Sequence, residues 1–272
     1  GDVIVCERDG GLPLQRAPLS KTYLDTDVTD GDDSFVLRRP DWFTQFDIKF
    51  LEQCPVTEID RSKKIVCLAG DNVLSYDKLV IASGAVPRRL PLTGGSSSGV
   101  HVLRTADDAR GLRNSLKGVQ NAVVIGGGYI GLEAAASLRK AGKDVHVVEL
   151  APRLLARVAS PALSDYCTKL HAKAGVNIST HASCDEILTD ETGHVKAVRL
   201  ADGTELKSQL VLAGIGIIPD AHLAKTAGLA VDNGILVSES YRSHDPAIWA
   251  IGDVANAPDR YDLRIESIHH AQ

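Results

Sequence analysis

The chain has 272 residues, 44% of them apolar and only 4% aromatic, which suits one large or two ordinary globular domains built on Ala, Val, Ile and Leu. A net charge of −5 excludes the broad positive field that nucleic acid or an acidic membrane surface recruits, and no run approaches the roughly 20 apolar residues of a membrane helix. Five scattered cysteines, with no C-x-x-C or C-x4-C pair, argue against a disulfide framework and a zinc or other metal site, and predict reduced, mostly buried thiols in a cytoplasmic protein.

Val3–Cys6 reads as a buried strand with Glu7 at its carboxyl end. Residues 10–23 are rich in Gly and Pro and read as a loop; a short helix is expected around Trp42 and Phe43. Residues 54–60, 64–68 and 73–75 alternate and turn like an antiparallel meander. The apolar run 79–82 predicts a parallel core strand, and the Gly/Ser/Pro-rich stretch 87–99 a domain boundary. Then come a helix over 105–116 capped by Thr105, a strand at 122–125, a helix over 130–141, and a strand at 145–148 ending in Glu149. A helix over 161–174 closes at Gly175, and strands are expected at 176–180, 184–189, 195–200, 210–213 and 248–251. Alternating strands and helices predict a parallel α/β sheet, with a meander inserted near its end.

One motif carries chemistry in a complete context. Gly126-Gly127-Gly128-Tyr129-Ile130-Gly131 fits G-x-G-x-x-G, lies between an apolar strand and a helix, and is followed by an acid at the end of the next strand, Glu149. Gly126 permits the tight turn, Gly128 lets a pyrophosphate approach the backbone, and Gly131 lets the helix pack on the sheet. The helix N-terminus offers free N–H groups to phosphate. Glu149 is placed to accept hydrogen bonds from ribose hydroxyls and to repel a 2′-phosphate, so NAD(H) is favoured over its phosphorylated form, with Arg157 nearby as a counterweight. Glu7 occupies the same place on its own strand, which suggests a second dinucleotide turn lying before Gly1. The strand ending at Gly252 and Asp253 could hold a ribityl hydroxyl, or Asp253 could simply cap its turn.

With these residues in view, the sequence resembles the FAD-dependent pyridine nucleotide reductases, specifically the ferredoxin reductase family that includes putidaredoxin, rubredoxin and biphenyl-dioxygenase ferredoxin reductases. The carrying segments are Leu14-Gln15-Arg16-Ala17-Pro18-Leu19-Ser20-Lys21, Ala82-Ser83-Gly84, the glycine turn through Glu133, Pro152 to Val158, Gly214-Ile215-Gly216 and Ala250-Ile251-Gly252-Asp253. The resemblance implies two nested, three-layer Rossmann-like α/β dinucleotide-binding domains with antiparallel meander insertions. Residues 1–99 and 219–272 would be the two parts of an FAD-binding domain and 100–218 an NAD-binding domain. The chain is read as a fragment lacking the start of the first and a C-terminal interface domain.

The implied cofactors are FAD and NAD(H). NADH would give a hydride to flavin N5, and single electrons would pass to a [2Fe–2S] ferredoxin or a rubredoxin serving an oxygenase. Catalytic roles fall on Lys21 beside the flavin, on Glu133 as its partner and on Tyr129 as an aromatic gate. Without the resemblance these read as a solvated loop lysine, a glutamate favoured by the helix dipole and a tyrosine packed at a helix start. Cofactor contacts are expected from Glu7, Arg16, Lys21, Val56, Ser83, Gly84, Arg88, Gly126, Gly127, Gly128, Tyr129, Ile130, Gly131, Glu149, Arg157, Gly216, Gly252, Asp253 and Ile268. Departures from the family pattern are Ser83-Gly84-Ala85, Asp220, His269 and His270. No nucleic acid or membrane partner is expected, and the protein would be a monomer or homodimer. A disulfide reductase would need a cysteine pair that is missing; an NAD-responsive signalling protein related to apoptosis-inducing factor would share the fold and the glycine turn.

Overall fold

The computed structural model describes residues 1–24 and 32–258. They divide into two compact units: one from Gly1–Pro13, Val36–Val86 and the described part of Ile217–Gln272, the other from the described part of Leu14–Phe35 and Pro87–Gly216.

In the first unit, Val3–Cys6 pairs in parallel with Ile48–Leu51, and Leu79–Ile81 pairs in parallel with Ile248–Ala250. The helix α1 (Pro40–Gln45) starts on a proline, whose fixed φ suits a first turn, and buries Phe43 against Phe50. The meander is present as Val56–Asp60, Ile65–Leu68 and Val73–Ser75, all antiparallel. Its core joins Ile59, Val66 and Leu68 to Ile81, Ile248 and Ala250. The expectation of a buried first strand is corrected here: Val3 and Ile4 are 51% and 38% exposed. Among the described residues Val3–Cys6 pairs with Ile48–Leu51, and its burial is confined to the Val5–Cys6 end, where Cys6 packs on the core of Ile59 and Val66.

The second unit is a five-stranded, wholly parallel sheet in the order Asn177–Ser179, Asp144–Val148, Asn121–Ile125, Leu210–Ala213, Val100–His101. The two-residue side-chain period sorts its apolar runs onto both faces. Ala122, Val124, Val145, Val147, Leu210 and Leu212 face a core with Leu112 of α2 (Ala106–Ser115) and Leu132 and Leu138 of α3 (Tyr129–Lys140). Val123, Ile125, Val148, Val211 and Ala213 face Ile187, Val195, Val198 and Leu200. Those last four belong to a second antiparallel meander, Cys184–Thr189, Val195–Leu200 and Glu205–Lys207. Three layers result, and burial on both faces explains why these strands read as unbroken apolar runs.

Helix ends follow the sequence signals. Thr105 and Asp108 form a reciprocal capping box on α2. In α4 (Pro161–Lys173), Ser160 caps the first turn, and Gly175 takes the left-handed conformation just beyond the C-cap (φ +85°). Two expectations need correction. Residues 10–23 are not simply a loop: the 3-10 turns Ala17–Ser20 and Thr22–Leu24 bury Leu19, Tyr23 and Leu24 in the α3 core. The five cysteines are free, as expected, but each is half-buried rather than buried.

Candidate dinucleotide site

The glycine turn lies in the second unit where Asn121–Ile125 hands over to α3. Gly126 takes φ +108°, and a Cβ on it would sit 2.4 Å from the Gly214 carbonyl oxygen. A Cβ on Gly131 would sit 2.0 Å from the Gly126 carbonyl oxygen. Both positions are closed to any side chain by backbone, which cannot swing aside. Gly128 is different: nothing lies within 4 Å of where its Cβ would point. It is the N-cap of α3 and has no side chain to cap the first-turn N–H groups. Tyr129 and Ile130 follow, both exposed.

Glu149 closes the turn from the neighbouring strand. One of its carboxylate oxygens accepts the Gly127 N–H at 2.5 Å and the other accepts the Ala151 N–H at 2.7 Å. The side chain is therefore aimed at the turn before any ligand arrives. Sequence reasoning missed two helpers: Leu154, fully buried, stands 2.5 Å from where a Gly127 Cβ would be, and Leu155 donates its N–H to the Gly127 carbonyl at 2.9 Å. Both belong to the segment 152–158, from which only Arg157 had been singled out.

Gly216 gathers two of the expected cations. The Arg88 N–H donates to its carbonyl at 2.9 Å, and its missing Cβ would lie 3.9 Å from a guanidinium nitrogen of Arg88 and of Arg157 alike. In the same unit the Lys21 ammonium pairs with Glu133 at 2.8 Å and also donates to the Ala17 carbonyl at 3.1 Å. Ser20, buried, donates its hydroxyl to the same Glu133 oxygen at 2.6 Å, and Ser137 donates to the Ser20 carbonyl at 2.9 Å. Neither serine was anticipated, because a hydroxyl gives no sequence signal for which carboxylate it will meet. Arg16 is the exposed N-cap of the Ala17–Ser20 turn.

The first unit holds the remaining described candidates. Glu7 follows Val3–Cys6, accepts the Asp9 N–H on its carboxylate at 3.1 Å and the Cys54 N–H on its carbonyl at 2.8 Å. Val56 opens the first meander, half-buried. Ser83 donates its hydroxyl to the Asp220 carbonyl at 2.7 Å, while the Asp220 N–H donates to Gly84 at 2.9 Å. The Asp220 carboxylate pairs with Arg8 at 3.0 Å, a contact that an asparagine at this position would make without the charge. Gly252, with φ +70°, and Asp253 start the 3-10 turn Gly252–Val254. Ile268, His269 and His270 lie outside the described residues.

Comparison with known proteins places the chain in a family. The chain is 42% identical over 267 residues to putidaredoxin reductase CamA of Pseudomonas putida, covering 96% of this chain and 63% of that protein. It is 35% identical to a rubredoxin-NAD(+) reductase of Pseudomonas putida, covering 100% of this chain and 70% of that one. The crystal structure of the ferredoxin reductase for the CYP199A2 system from Rhodopseudomonas palustris superimposes with a TM-score of 0.95 at 36% identity, covering 100% of this chain and 67% of that one. The chain thus spans about two thirds of the length of these relatives. The family model described as pyridine nucleotide-disulphide oxidoreductase matches residues 1–272, and the chain belongs to that family.

Proposed function

We propose that the chain is the core of an NADH-dependent flavoprotein reductase that passes electrons through FAD to a [2Fe–2S] ferredoxin or a rubredoxin serving an oxygenase. The observation that carries this reading is the pairing of an open cradle at Gly128 with a carboxylate already aimed at it, Glu149. The names of the relatives, reductases of putidaredoxin and rubredoxin, support the choice of acceptor. The second unit would take the nicotinamide nucleotide and the first unit the flavin, with Glu7, Val56, Ser83, Gly84, Gly252 and Asp253 as its contacts. We further infer a cytoplasmic monomer or homodimer; no helix among the described residues is long and apolar enough to cross a membrane.

The residues present fit a dinucleotide. The first-turn N–H groups of α3 have no side-chain cap and carry the partial positive charge of the helix end, and the space beside the Gly128 Cα is open, which suits a pyrophosphate. Arg88 and Arg157 flank Gly216 and add positive charge in the same unit. Glu149 would accept from ribose hydroxyls with lone pairs that Gly127 and Ala151 leave unused, and its charge would disfavour a 2′-phosphate. Bound together, NADH and FAD supply hydride chemistry and the conversion of an electron pair to single electrons. The chain's own part is to hold the nucleotide, hold the Lys21 side chain beside Glu133, and let exposed Tyr129 screen the site from water.

An anaerobic NADH titration of the purified protein, followed by visible absorption, tests the reading. Flavin bands that bleach with one equivalent of NADH are expected. A protein that takes up FAD but whose bands survive excess NADH would refute it.

A further inference from the structure

Two donors converge on one atom of Glu133. Its Oε2 receives the Lys21 ammonium at 2.8 Å and the Ser20 hydroxyl at 2.6 Å. The ion pair is open to water, with 46% and 33% of its side chains exposed, whereas Ser20 is only 6% exposed. An ion pair so exposed samples several geometries and holds none of them strongly. A buried hydroxyl does what the ammonium alone cannot: it pins the carboxylate, and so fixes where the ammonium must sit.

The turn carrying both donors is itself tied down. The Lys21 N–H donates to the Pro18 carbonyl at 2.9 Å, and the Ser137 hydroxyl holds the Ser20 carbonyl at 2.9 Å. Glu133 and Ser137 are four residues apart on α3 and so share one face of it. The turn and the helix are thus joined at two points, one hydroxyl donating in each direction.

We propose that Ser20 is a positioning residue: its hydroxyl orients the Glu133 carboxylate, which fixes the Lys21 ammonium, and Ser137 holds the turn that presents both. The purpose of that fixed charge rests on the reductase reading above; the geometry does not.

Trace acetylation of the cofactor-free full chain, read by peptide mass spectrometry, tests the proposal. Exposed Lys49 and Lys207 serve as internal standards. An ammonium held by a carboxylate must leave it before it can react, so Glu133→Gln sets the rate of an unheld Lys21. Ser20→Ala is expected to raise Lys21 labelling about fivefold over the standards, the factor that one net hydrogen bond carries, and Ser20→Thr to restore the original rate. Ser137→Ala should give a smaller rise, about twofold. Lys21 labelling in Ser20→Ala at the original rate would overturn the proposal, as would a rise shared by every lysine, which reports loosening of the fold. If Ser20→Ala does not fold, Ser137→Ala decides alone, and an unchanged Lys21 rate overturns it. The labelling needs no flavin, so failure of the reductase reading leaves this result standing, and the reverse also holds.

Discussion

Glu149 accepts the Gly127 N–H at 2.5 Å across 22 residues of sequence, and this bond makes it part of the glycine turn as well as the candidate ribose acceptor. Its other oxygen, on the Ala151 N–H, fixes the carboxylate against rotation. The two bonds hold the acid in place before a nucleotide arrives, which removes part of the ordering cost of binding.

Glu149→Ala should therefore weaken NADH binding by about tenfold or more, since it removes both the ribose acceptor and a charge-assisted bond to the turn. Glu149→Gln keeps an acceptor and should fall between the two. Both changes should narrow the preference for NADH over NADPH, measured by calorimetric titration with each nucleotide. Unaltered affinity for both would show that the ribose lies elsewhere.

Two glycines of the same turn should separate folding from binding. A Gly131→Ala methyl meets the Gly126 carbonyl 2.0 Å away, so the turn must open, at about 1–3 kcal/mol and a melting temperature lower by several degrees. A Gly128→Ala methyl meets nothing within 4 Å and should leave the melting temperature almost unchanged. It should nonetheless reduce NADH affinity, because it stands where the pyrophosphate is expected. Calorimetric scans with and without nucleotide distinguish the two.

Leu138 is fully buried beneath the sheet, while Leu163 on α4 is 47% exposed. Leu138→Ala should cost about 2–5 kcal/mol in urea unfolding, and Leu163→Ala within about 0.5 kcal/mol of nothing. Equal losses would mean that α4 is covered in solution.

Acid should destabilise the fold through its part-buried histidines. Burial holds the imidazoles of His101, His146 and His171 below the usual histidine range. The unfolded chain, with ordinary histidines, then binds more protons than the folded one as pH falls through about 6.5. Stability is full above that pH and declines below it until the folded-state values are reached. His101 is the sharpest case: its Nε2 is buried without a hydrogen-bond partner, and nearby Asp108 only partly offsets the burial. The urea midpoint should fall between pH 7.5 and 5.5, and His101→Gln should flatten that slope. An equal slope in the variant would assign the acid sensitivity to other groups.

Much of this architecture is legible in the sequence because its signals are local. The strand at Asn121–Ile125, the glycine turn and the capped α2 each announce themselves within a few residues. Ile48–Leu51, Val100–His101 and Glu205–Lys207 do not: all are short, the first two are defined by pairing with distant strands, and the third is a polar hairpin arm with little apolar pattern. The 3-10 turns near Leu19 and Tyr23 hide for another reason. Their prolines and glycines read as loop, and only helices α2 and α3, far along the chain, supply the burial. The Lys21–Glu133 pair came from family resemblance, and the serines around it became visible only in three dimensions.

The parallel order of the five-stranded sheet bears on how the second unit folds. Its central pair joins Asn121–Ile125 to Leu210–Ala213, which follows only after the whole meander of residues 184–207, so a long loop must close before that pair buries anything. Non-local pairing of this kind slows folding. Refolding from urea should therefore be slower than that of helical proteins of similar length, as stopped-flow fluorescence would show.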